Sequence, residues 1–107
     1  MPFTIRLSTT FDREVERLRV FDQRRITDAI RVQLTESPDV ETKNRKQLSS
    51  KVRADFKFRP PLWELRVGDY RVLYEVERPA ATVLIHAVRR KPADKTTEEI
   101  LNEAARH

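Results

Sequence analysis

Cysteine is absent from this chain of 107 residues, which excludes disulfides and thiolate-bound zinc and suits a reducing cytosol. Only two histidines are present, so no metal-ligand spacing stands out. No run of about 18 apolar residues occurs, the length a membrane-crossing helix needs. The opening residues, Met1-Pro2-Phe3-Thr4-Ile5-Arg6-Leu7, lack the charged-then-apolar layout of a secretory signal. Glycine is scarce too: Gly68 stands alone, which excludes a glycine-rich phosphate loop, and no serine-triad pattern is visible. Repeats and low-complexity segments are missing. The expectation is a soluble cytoplasmic protein without metal or cofactor, folded as a single domain over residues 1–107.

What is there is charge, and it is unbalanced. Lys and Arg number 22 against 17 Asp and Glu, a net +5 with a pI of about 10.0. Charged residues reach 36%, above the ~25% usual for soluble domains. A basic domain of this kind has the electrostatic footprint of a nucleic-acid binder. A solubilising surface or an acidic protein partner accounts for the same composition.

The apolar pattern changes period along the chain. Phe3, Ile5 and Leu7 alternate with Thr4 and Arg6, as in a half-buried strand. Thr9 and Thr10 offer N-caps to a helix whose apolar face reads Phe11, Val15, Leu18 and Phe21. Asp22 offers the cap of a second, with the stripe Ile26, Ala29, Ile30 and Leu34, ended at Ser37-Pro38. Residues 39–61 read as polar and irregular, with Lys43, Arg45, Lys46, Lys51, Arg53, Lys57 and Arg59 crowded together. Strands follow over Leu62–Val67, Tyr70–Val76 and Thr82–Val88. Thr96 with Glu99 forms a capping box for a last helix, whose apolar side is Ile100, Leu101, Ala104 and Ala105. The order β-α-α-β-β-β-α predicts an α+β fold: an N-terminal strand, a helical hairpin, a three-stranded antiparallel meander and a short C-terminal helix.

Gly68-Asp69 fits a two-residue hairpin turn, with glycine where positive φ is needed. That turn pairs Val67 with Tyr70, Leu65 with Val72 and Trp63 with Tyr74, so these aromatics belong to the core. The other face, expected to be open, carries Glu64, Arg66, Arg71, Leu73 and Glu75. On it Arg66 lies opposite Arg71, an arrangement that costs up to ~1 kcal/mol unless an anion sits between the two. Neutralisation by Glu64 and Glu75 in a surface network is the alternative account. By parity His86, Val88 and Arg90 share one face of the last strand and Ile85, Ala87 and Arg89 the other, with the covered face undetermined.

The run Leu62-Trp63-Glu64-Leu65-Arg66-Val67-Gly68-Asp69-Tyr70-Arg71-Val72-Leu73-Tyr74-Glu75-Val76 resembles the RelE/ParE toxin superfamily, and the element order resembles it over almost the whole chain. The resemblance implies the toxin of a type II toxin–antitoxin pair, with an acidic antitoxin as partner. It leaves two functions open: ribosome-dependent cleavage of mRNA, as in RelE-like toxins, or binding of DNA gyrase without nuclease activity, as in ParE-like toxins. A non-toxic interaction domain is a third alternative. By position Arg66 and Arg71 match sheet cations that hold the scissile phosphate in RelE-like enzymes, and Lys91 matches the basic residue after the last strand. The chain departs from that pattern at Glu64, where a lysine is common, and near Thr97, where a base-stacking tyrosine is missing. For attack of an RNA 2′-hydroxyl on its own 3′ phosphate, Glu64 or His86 is the candidate base, while Lys91 or Arg90 assists the leaving oxygen. A salt bridge with Arg66 for Glu64, and strand packing for His86, are the structural alternatives. Lys51, Arg53, Lys57, Arg59 and Arg89 are the candidate nucleic-acid contacts.

Overall fold

A computed structural model describes residues 2–106. In chain order the elements are β1 (Thr4–Leu7), α1 (Thr9–Glu16), α2 (Val20–Leu34), β2 (Arg45–Gln47), β3 (Trp63–Val67), β4 (Tyr70–Glu77), β5 (Thr82–Arg90) and α3 (Thr97–Ala105). The strands form one sheet in the order β1-β5-β4-β3-β2, antiparallel except where β1 runs parallel to β5.

The expected meander is present with its expected register. Gly68 takes φ +57° at the first turn position, where an L side chain is strained, and Asp69 has negative φ, as in a type II′ hairpin. Trp63 then faces Tyr74, Leu65 faces Val72 and Arg66 faces Arg71. Strand β2 was not expected, because Arg-Lys-Gln has no apolar alternation. Backbone pairing makes it: Lys46 lies opposite Glu64, and flanking bonds run from Arg66 N–H to Asn44 C=O and from Leu48 N–H to Leu62 C=O, both 2.8 Å.

The helical hairpin covers one face. Phe11 of α1 and Ile26, Ile30 and Leu34 of α2 bury against Leu65, Val72, Tyr74 and Ile85. Tyr74 is wholly buried; its hydroxyl donates to Pro38 C=O at 2.6 Å, and burial pushes its pKa well up. Several local expectations are corrected. Ser8, not Thr9 or Thr10, caps α1, its hydroxyl accepting from Phe11 N–H at 3.0 Å. Helix α2 starts at Val20 rather than after Asp22, and Asp22 is buried in its first turn, where Tyr70 hydroxyl reaches it at 3.3 Å. Phe21 therefore leaves the α1 stripe and is 65% exposed; Leu7, at the open edge of the sheet, is exposed as well.

The second face is not open. Leu73 and Ala87 are buried there under Leu48, Val52, Leu62 and Leu101, with Phe56 and Phe58 packed around them. Its cover comes from the irregular 48–58 segment and from α3, whose Thr96–Glu99 capping box is formed. Ala105, expected on the buried side of α3, is exposed. Parity along β5 fails at a bulge: Leu73 pairs with Ala87 but Tyr74 with Ile85, so His86 is the extra residue. Ile85 and Val88 thus share the helix-covered face, while Ala87 lies on the other. No helix among the described residues is long and apolar enough to cross a membrane.

Because Leu101 is the fully buried apolar anchor of α3, Leu101→Ala should lower unfolding stability by about 2–5 kcal/mol, the usual cost of a cavity. Urea denaturation measures it, and a wild-type midpoint would mean that α3 does not pack on the sheet in solution.

Candidate functional site

Where β2 and its preceding loop approach β3, and the end of β5 leaves the sheet, a cleft of about 590 Å³ opens. Five cations face it (Lys43, Lys46, Arg66, Arg71 and Lys91), Arg45 borders it with its guanidinium directed elsewhere, and two carboxylates, Glu41 and Glu64, stand against them. A smaller cleft of about 290 Å³ shares Lys46, Glu64 and Lys91 with the first and extends along the loop to Thr96, Thr97 and Glu98.

The opposed arginines are not equivalent. Arg66 is exposed. Arg71 is 6% exposed, and its Nη1 donates to Gly68 C=O at 2.9 Å and to Tyr70 C=O at 2.8 Å. Burial pushes its pKa down and the Glu64 charge pulls it back up, its Nε lying 3.8 Å from Glu64 Oε1. Arg71 is thus fastened to the turn that places it, and Arg66 is left to face solvent. Glu64 is held from a third side by the hydroxyl of Thr97, a buried residue at the start of α3. Lys91 is positioned through its backbone, which donates to Asp69 C=O at 2.7 Å, while its Nζ reaches Pro92 C=O at 3.3 Å.

The candidate residues therefore divide. Arg66, Arg71, Lys91 and Glu64 come together in the cleft. His86 lies away from it, stacked on Phe56 at 5.0 Å with its Nε2 2.7 Å from the buried Glu75. Arg90 points to the helix-covered side, 5.2 Å over the Tyr70 ring. Arg89 is occupied by Glu14 at 2.6 Å and Asp55 at 3.1 Å. Burial raises the Glu14 pKa, against the lowering pull of Arg89. Lys51 and Arg53 border a separate hollow near Asn102 and Arg106, and Lys57 and Arg59 are exposed on the same irregular segment.

Lys43 and Lys46, read in the sequence only as part of the basic 43–59 stretch, belong to the cleft with the arginine pair. The signal that finds them is the β2–β3 ladder, which sets Lys46 beside Glu64. Arg45 turns the other way and ties the loop to α2 through Gln33 C=O at 2.7 Å and Val40 C=O at 2.9 Å. No cluster of three or more His, Asp or Glu among the described residues is arranged to hold a metal ion. Chemically the cleft suits a polyanion: flexible lysines on one wall and an arginine pair on a rigid ladder opposite.

The two arginines should respond differently to truncation. Arg71→Ala leaves Glu64 and two carbonyls without their cation and should cost about 2–4 kcal/mol. Arg66→Ala should stay within about 0.5 kcal/mol of wild type. Chemical denaturation of both variants checks this, and equal losses would contradict the division of labour.

Residues 5–94 match the family model of the ParE toxin of the type II toxin–antitoxin system parDE. No curated protein matches the chain. Among solved structures, a chain of the toxin–antitoxin complex RelBE2 from Mycobacterium tuberculosis superposes with a TM-score of 0.68 at 23% identity, covering 85% of this chain and 100% of that one. A chain of the archaeal RelE–RelB complex from Pyrococcus horikoshii gives 0.65 at 19% identity over 87% and 99%. One from the RelB–RelE antitoxin–toxin complex of Methanococcus jannaschii gives 0.55 at 19% over 78% and 87%. These likenesses share the fold, and the family model spans most of the sequence. The chain belongs to the ParE toxin family of type II toxin–antitoxin systems, within the RelE/ParE superfamily.

Proposed function

We propose that this toxin inhibits translation by cutting mRNA on the ribosome. The observation that carries the reading is the cleft, in which Arg66 faces Arg71 on a rigid ladder with Lys46 and Lys91 beside them. Two like charges held opposite each other, one of them buried, have their repulsion relieved by a phosphate between the strands.

The reaction is attack of an RNA 2′-hydroxyl on the adjacent phosphorus. The 2′ proton leaves to a base, the new O–P bond forms, and the bond to the 5′ oxygen breaks as that oxygen takes a proton. A 2′,3′-cyclic phosphate and a 5′-hydroxyl result, so no metal is required for the balance. Arg66 meets the charge that develops on the phosphorane, with Arg71 fixing the field from behind. Glu64 is the carboxylate placed to receive the 2′ proton, and Lys91 the cation placed to protonate the leaving oxygen; each such role is worth about 10²–10⁴-fold. His86 and Arg90 lie outside the cleft and take neither role.

Lys51, Arg53, Lys57 and Arg59 extend the positive surface beyond the cleft and suit ribosomal RNA. Asp55, the acid on that segment, is taken up by Arg89. The solved neighbours come from toxin–antitoxin complexes, and an acidic antitoxin steered to this surface fits its charge. Such a toxin works in the cytoplasm.

A second reading, a gyrase-directed toxin, is favoured by two observations: the family model matched is that of the ParE toxin, and Glu64 Oε1 is already held by Thr97, which weakens it as a base. Primer extension on an mRNA in a reconstituted translation reaction separates the two. Codon-positioned cuts that need translating ribosomes are expected, with Arg66→Ala slowing them by about 10²–10³, the cost of losing one charge-stabilising donor. Intact mRNA together with loss of gyrase supercoiling would establish the second reading instead.

A further inference from the structure

At the elbow between α1 and α2 the fold leaves two large apolar side chains uncovered. Phe21 is 65% exposed and Val20 62%, both in the first turn of α2. Two neighbouring exposed apolar side chains at one turn, unlike a scattered single residue, suit a contact surface. Its surroundings are basic: Arg17 closes α1, Arg19 caps α2, and Arg24 and Arg25 follow one turn on. The nearest balancing acid, Asp22, is buried and already held by Arg19, Arg25 and the Tyr70 hydroxyl.

This patch is joined to the cleft by the tip of the β3–β4 hairpin. Arg25 lies 5.8 Å over the Phe21 ring, and its guanidinium packs so closely on Gly68 that a Cβ there would meet it at 2.5 Å. Arg90, with a side chain 66% exposed, lies over the Tyr70 ring and reaches the Tyr70 hydroxyl at 3.2 Å. Beyond the same turn stand Arg66 and Lys91 of the cleft. Cations thus follow one another around the tip from cleft to elbow, broken by the exposed carboxylate of Asp69 at 4.0 Å from Arg90, with Phe21 as the exposed ring at their end.

We infer that the α1–α2 elbow is a second RNA contact: a single strand leaving the cleft rounds the hairpin tip, lays phosphates along Arg90 and Arg25, and stacks a base on Phe21. The inference rests on the cleft being an RNA site. Every base has a π-face, so an exposed ring with a guanidinium beside it grips single-stranded RNA without reading its sequence. An acidic protein segment would meet the same charge, but the continuity with the cleft and the exposed ring beside Arg25 favour a nucleic acid.

The test is fluorescence anisotropy with a labelled, 2′-O-methylated single-stranded RNA of about a dozen nucleotides, which the toxin cannot cut. Phe21→Ala should weaken binding about 5- to 150-fold, with Phe21→Trp restoring it. Arg90→Ala should lower the salt slope by about one phosphate contact. Phe21 is exposed, so its variants keep the fold, and a thermal melt verifies that. Wild-type affinity in Phe21→Ala, with weakened binding in Arg66→Ala, would overturn the elbow site, leave the cleft reading standing and assign the patch to a protein. No RNA binding by the wild-type protein would overturn both.

Discussion

The two-residue turn at Gly68-Asp69 is the constraint on which the rest depends. Side chains alternate along a strand, so a register slip of one residue would exchange the two faces of the hairpin. A left-handed first position, which glycine adopts without strain, sets the pairing that sends Trp63, Leu65, Val67, Tyr70, Val72 and Tyr74 to the helices. The same pairing sends Glu64, Arg66, Arg71 and Leu73 to the opposite face. Core and cleft are therefore two consequences of one backbone geometry. The turn also takes part directly, since Gly68 C=O accepts from Arg71 and Asp69 C=O accepts from the Lys91 backbone.

Setting two arginines opposite each other costs energy, and the fold meets that cost by treating them differently. Arg71 is desolvated but satisfied by two carbonyls and by Glu64, so its charge is tolerated inside. Arg66 stays hydrated. Thr97 closes the set by holding Glu64 from the first turn of α3, which makes the docking of that helix and the arrangement of the cleft parts of one structure. The second small core around Leu73, Ala87 and Leu101 is what keeps α3 there.

The hairpin register, the element order and the Arg66/Arg71 opposition were legible in the sequence because each follows from a local rule: a glycine turn, a period, a capping box. What was not legible depends on contacts distant along the chain. Strand β2 has no apolar alternation and exists because β3 offers it an edge, so Lys43 and Lys46 went unassigned to the cleft. The bulge at His86 leaves no trace in composition, yet it breaks the parity on which the β5 faces were argued. Arg89 looks like a free cation in sequence; only the fold brings Glu14 and Asp55 to it. Phe21 fits the spacing of α1 but falls after the break at Arg17–Arg19, where the helix axis changes and the stripe ends.

Whether the Arg66–Arg71 opposition is an anion site for RNA is read most directly by NMR of the arginine side-chain Nε–Hε groups while a short 2′-O-methylated RNA is added. Arg66 is expected to shift and to exchange more slowly with water, Arg71 to respond through its contacts, and Arg13 on α1 to stay still. An Arg66 signal that does not move while distant arginines shift would contradict an anion site there.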